Sequence, residues 1–424
     1  MIMMTKNKGD TMKNNARRDF LKLMGLTTTA AALGTSTLNA ATTKPHVIVV
    51  GGGYSGSTCA KYLKMWGGSS VEVTLIEPNA NYVSPILSNL VLNGQRSISQ
   101  LTFNYTTHNS KYNINIIHQS VTGVDKTNKE ITLANGQKLS FDKLVLAPGI
   151  DFKFVNNYDI TKVPHAWVAG SQTTILKNQI DSLQSGDSFI MTIPKSPYRC
   201  PPGPYERACV IADYLKNIKG LNVNITVLDA NSDFTVEKDS FSAKFNEYGI
   251  DYRTNCDLLS VDDTAMSITF SENGTQKTLS ATVLNVIPNQ KAAKIIFDAG
   301  VNSGDWAPVD LRSYESTIAQ DIYIIGDSHK STQPKAGHIG NGEAKICADA
   351  ILRSLNNIAL YPTPKTTSAC YSPVSTNEAT WLAAVFEYQN GNMVLVKKGS
   401  GAPSTINYNN MFNWSGNLFS DTFQ

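Results

Sequence analysis

Apolar residues in this chain fall into short unbroken runs: His46-Val47-Ile48-Val49-Val50, Val71 to Ile76, Leu144-Val145-Leu146, Ser188 to Ile193, Val223 to Leu228 and Asp321 to Ile325. Runs this short, rich in Val and Ile and ended by Gly, Pro or an acid, read as strands buried on both faces. A helical stretch from Ser57 to Trp66 separates the first two runs. Strands alternating with helices imply parallel α/β sheets. The order of the runs predicts two related dinucleotide-type units, one interrupted by the other. Residues 45–155 and 285–350 form the first, and residues 156–284 the inserted second. After Tyr361-Pro362-Thr363-Pro364, residues 351–424 form a C-terminal domain. It has alternating strands at Trp381–Tyr388 and Asn392–Lys397, then an aromatic tail.

At 424 residues, 41% hydrophobic and 17% charged, the chain is long enough for two or three cored domains. The net charge of +3 is concentrated at the start; removing the first 40 residues leaves 31 basic and 32 acidic side chains. A near-neutral body offers no basic face, so nucleic acid is not an expected partner. Arg17-Arg18-Asp19-Phe20-Leu21-Lys22 precedes a mildly apolar stretch ending at Leu38-Asn39-Ala40. This reads as a twin-arginine-like signal over residues 1–40, with a periplasmic destination. An oxidising compartment would let a disulfide persist among the six cysteines, Cys59, Cys200, Cys209, Cys256, Cys347 and Cys370. None has CxxC, CxxCH or zinc-like spacing, and the histidines show no metal-ligand pattern, so no metal is expected.

The glycine turn Gly51-Gly52-Gly53-Tyr54-Ser55-Gly56 follows the first strand at once. Gly51 suits the tight turn, Gly53 the close approach of a pyrophosphate, and Gly56 the packing of helix on strand. The second strand ends in Glu77, where a carboxylate would meet a ribose diol. Ala147-Pro148-Gly149 ends a third strand, and Gly326-Asp327 ends another near residue 325. In two-domain flavoproteins the carboxylate at that place holds the ribityl chain. The helix that follows, here from about His338, aims its N-terminus at the flavin ring. These elements in this order select FAD; Val121 marks where backbone would meet the adenine. In the second unit the corresponding turn reads Pro194-Lys195-Ser196-Pro197-Tyr198-Arg199-Cys200-Pro201-Pro202-Gly203-Pro204. So many prolines cannot form a glycine-rich cradle, which predicts a dinucleotide fold without a nicotinamide site.

Arg199-Cys200-Pro201-Pro202-Gly203-Pro204-Tyr205-Glu206-Arg207-Ala208 resembles the active-site segment of the flavoprotein subunit of flavocytochrome c sulfide dehydrogenase. Ala369-Cys370-Tyr371-Ser372 resembles that family's second cysteine segment, and Phe412-Asn413-Trp414 through Phe423 its tail. The resemblance runs over nearly all of the chain after the signal. It implies a glutathione-reductase-like fold with two dinucleotide domains and a C-terminal α+β domain, related to sulfide:quinone oxidoreductases. It also implies that Cys200 and Cys370 form a redox disulfide beside the flavin, which sulfide attacks to give a persulfide and a thiolate. In some relatives a cysteine after the ribose-binding Glu links covalently to FAD. Pro85 stands there in this chain, so non-covalent FAD is expected.

Arg199 and Arg207 flank Cys200, either favouring a thiolate or standing as solvated surface charges. Glu206 is a possible acid or base. Cys59, Cys209 and Cys347 are expected as small buried hydrophobes, Cys256 as either buried or exposed, and His338 as a packing residue. Three functions remain open. The first is a sulfide dehydrogenase passing electrons to a c-type cytochrome. The second is a sulfide:quinone oxidoreductase docking on a membrane through Met411, Phe412, Trp414, Leu418, Phe419 and Phe423. The third is a non-catalytic flavin-binding assembly subunit.

Overall fold

The computed structural model describes residues 44–424. The signal expected over residues 1–40 lies outside them. Strands β1 (His46–Val50), β2 (Glu72–Ile76), β3 (Asn115–Ile117), β4 (Lys143–Leu146) and β11 (Ile322–Ile324) form the parallel body of a seven-stranded sheet. Their spatial order is β11-β4-β1-β2-β3, the order of a dinucleotide-binding sheet. Alternation along each strand feeds two cores. Val47, Val49, Val73, Leu75, Val145 and Tyr323 face helices α1 (Tyr54–Gly67) and α4 (Gly337–Leu355). Ile48, Val50, Ile76, Leu144, Leu146 and Ile324 face the opposite layer. Each such side chain taken fully from water stabilises the fold by roughly 1.5–3 kcal/mol.

Register decides where the chemistry sits. Val50 pairs with both Ile76 and Leu146, and Leu146 with Ile324. The next residues, Gly51, Glu77, Ala147 and Ile325, therefore leave the sheet along one edge. Gly51 turns there with φ +103°, and a Cβ on it would lie 2.3 Å from the Ala147 carbonyl oxygen. A Cβ on Gly56 would lie 1.8 Å from the Gly51 carbonyl oxygen. Neither position admits a side chain without moving backbone.

The inserted unit repeats the plan with β6 (Ser188–Ile193), β7 (Asn224–Asp229), β8 (Asp251–Arg253) and β9 (Val283–Asn285), parallel in the order β8-β7-β6-β9. Helix α2 (Gly203–Asp213) follows β6, and α3 (Lys238–Tyr248) precedes β8. Where the chain crosses between units, β5 (Ile150–Lys153) and β10 (Asn289–Ala292) pair as an antiparallel ribbon of their own. The expected boundaries at 155 and 285 lie within a few residues of this ribbon. The C-terminal part is an antiparallel sheet of β12 (Lys365–Pro373), β13 (Ala379–Gln389) and β14 (Asn392–Ser404), closed by helix α5 (Thr405–Phe423). The aromatic tail is this helix. Met411, Leu418 and Phe423 are buried, and Phe423 stacks on Phe103 at 4.7 Å between ring centroids.

The contact at Gly56 is tight enough to test alone. G56A should cost about 3 kcal/mol in a thermal or denaturant melt, because the obstructing atom is backbone. The same variant should lose the cofactor expected at this turn, read as loss of yellow colour on purification.

Candidate active site

Cys200 is held by its backbone. Its φ is +58°, its N–H donates to the Lys335 carbonyl at 2.7 Å, and its carbonyl accepts from Gly203 N–H at 2.9 Å. Its sulfur lies over the first residue of α2, where a Cβ on Gly203 would come within 2.9 Å of it. Cys370 comes from the middle of β12. Both cysteines line one cleft of about 810 Å³, counting its open mouth. Its walls include Pro85, Trp167, Arg199, Glu206, His338 and Trp414. The two are free thiols here, so the disulfide implied by the resemblance is not present in this structure.

Electrostatics around the pair are dominated by burial, which disfavours charge. Burial pushes the Cys200 thiol up strongly, helped by Glu206 and Cys370 and opposed by Arg199. Cys370 is pushed up to about 12, by burial first and then by Glu237. Glu206 is pushed up to about 8 by burial, against a hydrogen bond from Asn89 Nδ2 at 2.8 Å.

Arg207 is 2% exposed, which removes the expectation of a solvated surface charge. Its guanidinium donates to Asn89 Oδ1, to the His165 and Ala166 carbonyls and to Asn285 Oδ1 at 2.6–3.0 Å, and lies over the Trp167 ring. Asn89, Trp167 and Asn285 sit in segments with no local motif, so nothing in their neighbouring residues singles them out. Cys59, Cys209, Cys256 and Cys347 are all buried away from the cleft. This decides the open case of Cys256.

The glycine edge fits FAD. Helix α1 starts after Gly53 and α4 after Ala336, and neither has a side-chain cap. Both therefore keep free N–H ends and a partial positive charge for phosphate or ring. Asp327 is strongly desolvated, which raises its pKa, and its carboxylate has no hydrogen-bond partner among the described residues. It is an acceptor suited to the ribityl hydroxyls. Glu77 Oε2 accepts from Gly52 N–H at 2.9 Å and Oε1 from Asn79 N–H at 3.0 Å, with lone pairs left for a ribose. Ala147 packs on Gly56, and the Gly149 carbonyl accepts from Ser328 Oγ. Gly326 N–H donates to Glu343 Oε2 at 2.8 Å. Lys335 Nζ, its pKa lowered to about 8 by burial, holds the loop through the Asp327 and His329 carbonyls. Val121 opens a strand of a separate three-stranded sheet and is half-buried. Sequence reading missed Tyr105, whose hydroxyl donates to the Gly52 carbonyl at 3.1 Å.

The second unit has no such edge. Lys195, Ser196, Arg199 and Cys200 spend their N–H groups on Asn289, Asn231, Gln290 and Lys335. Asp229 is placed where a ribose carboxylate would stand. It is fully buried and accepts from Tyr205, Tyr252 and Asn231 at 2.8 Å.

A flavin edge in one unit, a closed edge in the other and two cysteines between them define a flavoprotein of the pyridine nucleotide-disulphide oxidoreductase class. The model of that class matches residues 45–182. The model "Sulfide dehydrogenase (flavocytochrome c) flavoprotein chain, central" matches residues 173–288, and "Flavocytochrome c sulphide dehydrogenase, flavin-binding" matches residues 362–423. The chain is thus similar to the flavoprotein subunit of flavocytochrome c sulfide dehydrogenase over its central and C-terminal segments, and FAD is its cofactor. The sulfide:quinone oxidoreductase of Aquifex aeolicus shares its fold, with a TM-score of 0.74 at 17% identity over 89% of this chain and 92% of that one. A NAD-dependent persulfide reductase from A. fulgidus aligns with a TM-score of 0.60 at 15% identity, over 89% and 77%. The NADH-rubredoxin oxidoreductase of Clostridium acetobutylicum is 28% identical over 151 residues, which span 34% of this chain and only 37% of that relative.

Glu206 gives a stability test. Its folded pKa of about 8 lies above its ordinary 4.5, so the stabilising proton is fully held below about pH 4.5 and lost as pH rises through 8. Wild-type melting temperature should therefore fall relative to E206Q between about pH 5 and pH 9. Parallel profiles would show that Glu206 ionises as a normal carboxyl.

Proposed function

We propose that the chain is an exported, periplasmic sulfide dehydrogenase that oxidises sulfide to zero-valent sulfur through a Cys200–Cys370 disulfide. It passes the electrons through FAD to a c-type cytochrome. The observation that carries this reading is the cleft itself: two cysteines 170 positions apart in sequence line it together with the free N-terminus of α4.

When bound, FAD supplies an acceptor for the two electrons of sulfide and releases them singly to one-electron partners. Everything else falls to side chains. HS⁻ attacks one sulfur of the oxidised pair; a new S–S bond forms, the Cys200–Cys370 bond breaks, and the released cysteine takes the negative charge. High thiol pKa values make poor leaving groups, so they favour the oxidised pair at rest. Departure of the outer sulfur at the zero-valent level breaks the persulfide S–S bond and leaves both cysteines reduced; re-forming the Cys200–Cys370 bond gives up two electrons, which bound FAD would accept. The proton left from HS⁻ can pass to the released cysteine, whose burial raises its proton affinity above that of Glu206 on the same wall.

The quinone alternative needs the tail as a membrane-docking surface. Of those residues, Met411, Leu418 and Phe423 are buried, and Phe412, Trp414 and Phe419 are half-buried. Among the described residues no helix is long and apolar enough to cross a membrane. A purely non-catalytic role would leave the cysteine pair in the cleft without a use.

With sulfide as donor, purified chain should reduce soluble c-type cytochrome and leave short-chain quinone largely untouched. C200S and C370S should each lose at least about 10³-fold of that rate while staying yellow. Fast quinone reduction with cytochrome ignored would hand the function to the alternative. Because Pro85 offers no thiol, acid precipitation should leave FAD in the supernatant; flavin retained in the pellet would reveal a covalent link elsewhere.

A further inference from the structure

His338 is the second residue of α4 and stands on the cleft wall with Cys200 and Cys370. The backbone N–H of Ala369, the residue before Cys370, donates to its Nδ1 at 2.9 Å. A backbone amide nitrogen can only donate, so Nδ1 must hold the lone pair. The ring proton is therefore on Nε2. Because β12 is the outer strand of its sheet, this contact also satisfies an otherwise open edge N–H. Burial disfavours the charged ring, as does the positive end of α4. The ring stands edge-to-face with Trp414 at 6.0 Å, and its Nε2–H has no hydrogen-bond acceptor among the described residues.

The two cysteines differ in what could steady a negative charge. Arg199 acts on Cys200, whereas the charged groups acting on Cys370 are Glu237 and Glu206, both unfavourable. A thiolate at Cys370 thus relies on neutral donors: the Ser368 hydroxyl favours it from two residues before, and His338 offers a second, uncommitted donor on the cleft wall, tied to the same strand. We propose that His338 is a positioning residue whose Nε2–H donates to the anionic sulfur formed at Cys370 when the pair opens. The inference rests on the sulfide reading only for what opens the pair.

Two substitutions separate the ring's edges. In H338N the side-chain carbonyl can still accept from Ala369, but no donor remains at the Nε2 position. In H338Q a donor reaches that position and the acceptor is lost. The full chain with its FAD is reduced with a phosphine and alkylated with iodoacetamide at about pH 8, and Cys370 labelling is followed by peptide mass. Alkylation of Cys370 should slow by roughly three- to tenfold in H338N and stay within about twofold of wild type in H338Q. Cys200 labelling should be unchanged in both. Impairment in H338Q with a normal H338N would reduce the ring to a cap on β12 and overturn the proposal. Equal rates in all three proteins, or an effect confined to flavin absorbance, would overturn it as well. Alkylation requires no turnover, so a chain inactive with sulfide sinks the function proposed above while this test still decides His338.

Discussion

The cleft depends on one buried guanidinium. Arg207 lies a helical turn and more beyond Cys200 and reaches segments at 89, 165–166 and 285, far apart in sequence. Removing such a cation from water costs several kcal/mol. Four hydrogen bonds to a charged donor, at about 1.5–3 kcal/mol each, offset that cost only when every acceptor is in place. The acceptors are mostly carbonyls and amides, so the ion has no adjacent counter-charge. Glu206 is next in sequence, but burial holds it mainly protonated near neutral pH. The guanidinium therefore demands one arrangement of the α2 entry, the Asn89 segment and the His165–Trp167 turn. That arrangement fixes the loop carrying Cys200.

The same loop explains how a dinucleotide fold exists without its nicotinamide site. In the first unit Gly51 and Gly52 donate to the Ile76 carbonyl and to Glu77, but the helix end beyond them stays uncapped. In the second, the N–H groups between β6 and α2 are consumed by Asn231, Asn289, Gln290 and Lys335. The carboxylate of Asp229 is consumed too, by two tyrosines and an asparagine. The architecture has been turned into a rigid mount. Its anchor points, Gln290 on the crossover ribbon and Lys335 before α4, belong to the flavin side of the molecule, so the cysteine loop and the flavin edge are positioned by the same bonds.

Helix α5 seals the other side. Its aromatic face packs on Tyr54, Tyr82 and Phe103. Lys61, on α1, donates to the Ser420, Asp421 and Gln424 carbonyls. Asp421 in turn takes Tyr62, Asn341 and Lys345. A run that looks membrane-seeking in one dimension is committed to the packing of the flavin domain.

Local chemistry made much of this legible in advance. Glycine at 51 follows from the positive φ of the turn and glycine at 56 from the Gly51 carbonyl within the same strand–turn–helix unit, and buried parallel strands announce themselves as short apolar runs. The carboxylates at 77 and 327 follow their strands directly, and a proline-filled turn excludes a phosphate cradle wherever it occurs. The Cys200 and Cys370 segments were legible through their resemblance to a family. What the sequence could not hold was anything set by distance in space. Whether Arg207 is solvated, whether the tail is free, and what Asn89, Trp167, Asn285 and the ring of His338 touch all depend on segments far apart in sequence. Such contacts form only when packed layers exclude water, and excluding water is also what moves the proton affinities of Glu206 and the cysteines. The sequence determined the fold class and the flavin edge, because those rest on short-range sterics and periodicity. Tertiary structure decided the electrostatics of the cleft, because burial is a property of the whole.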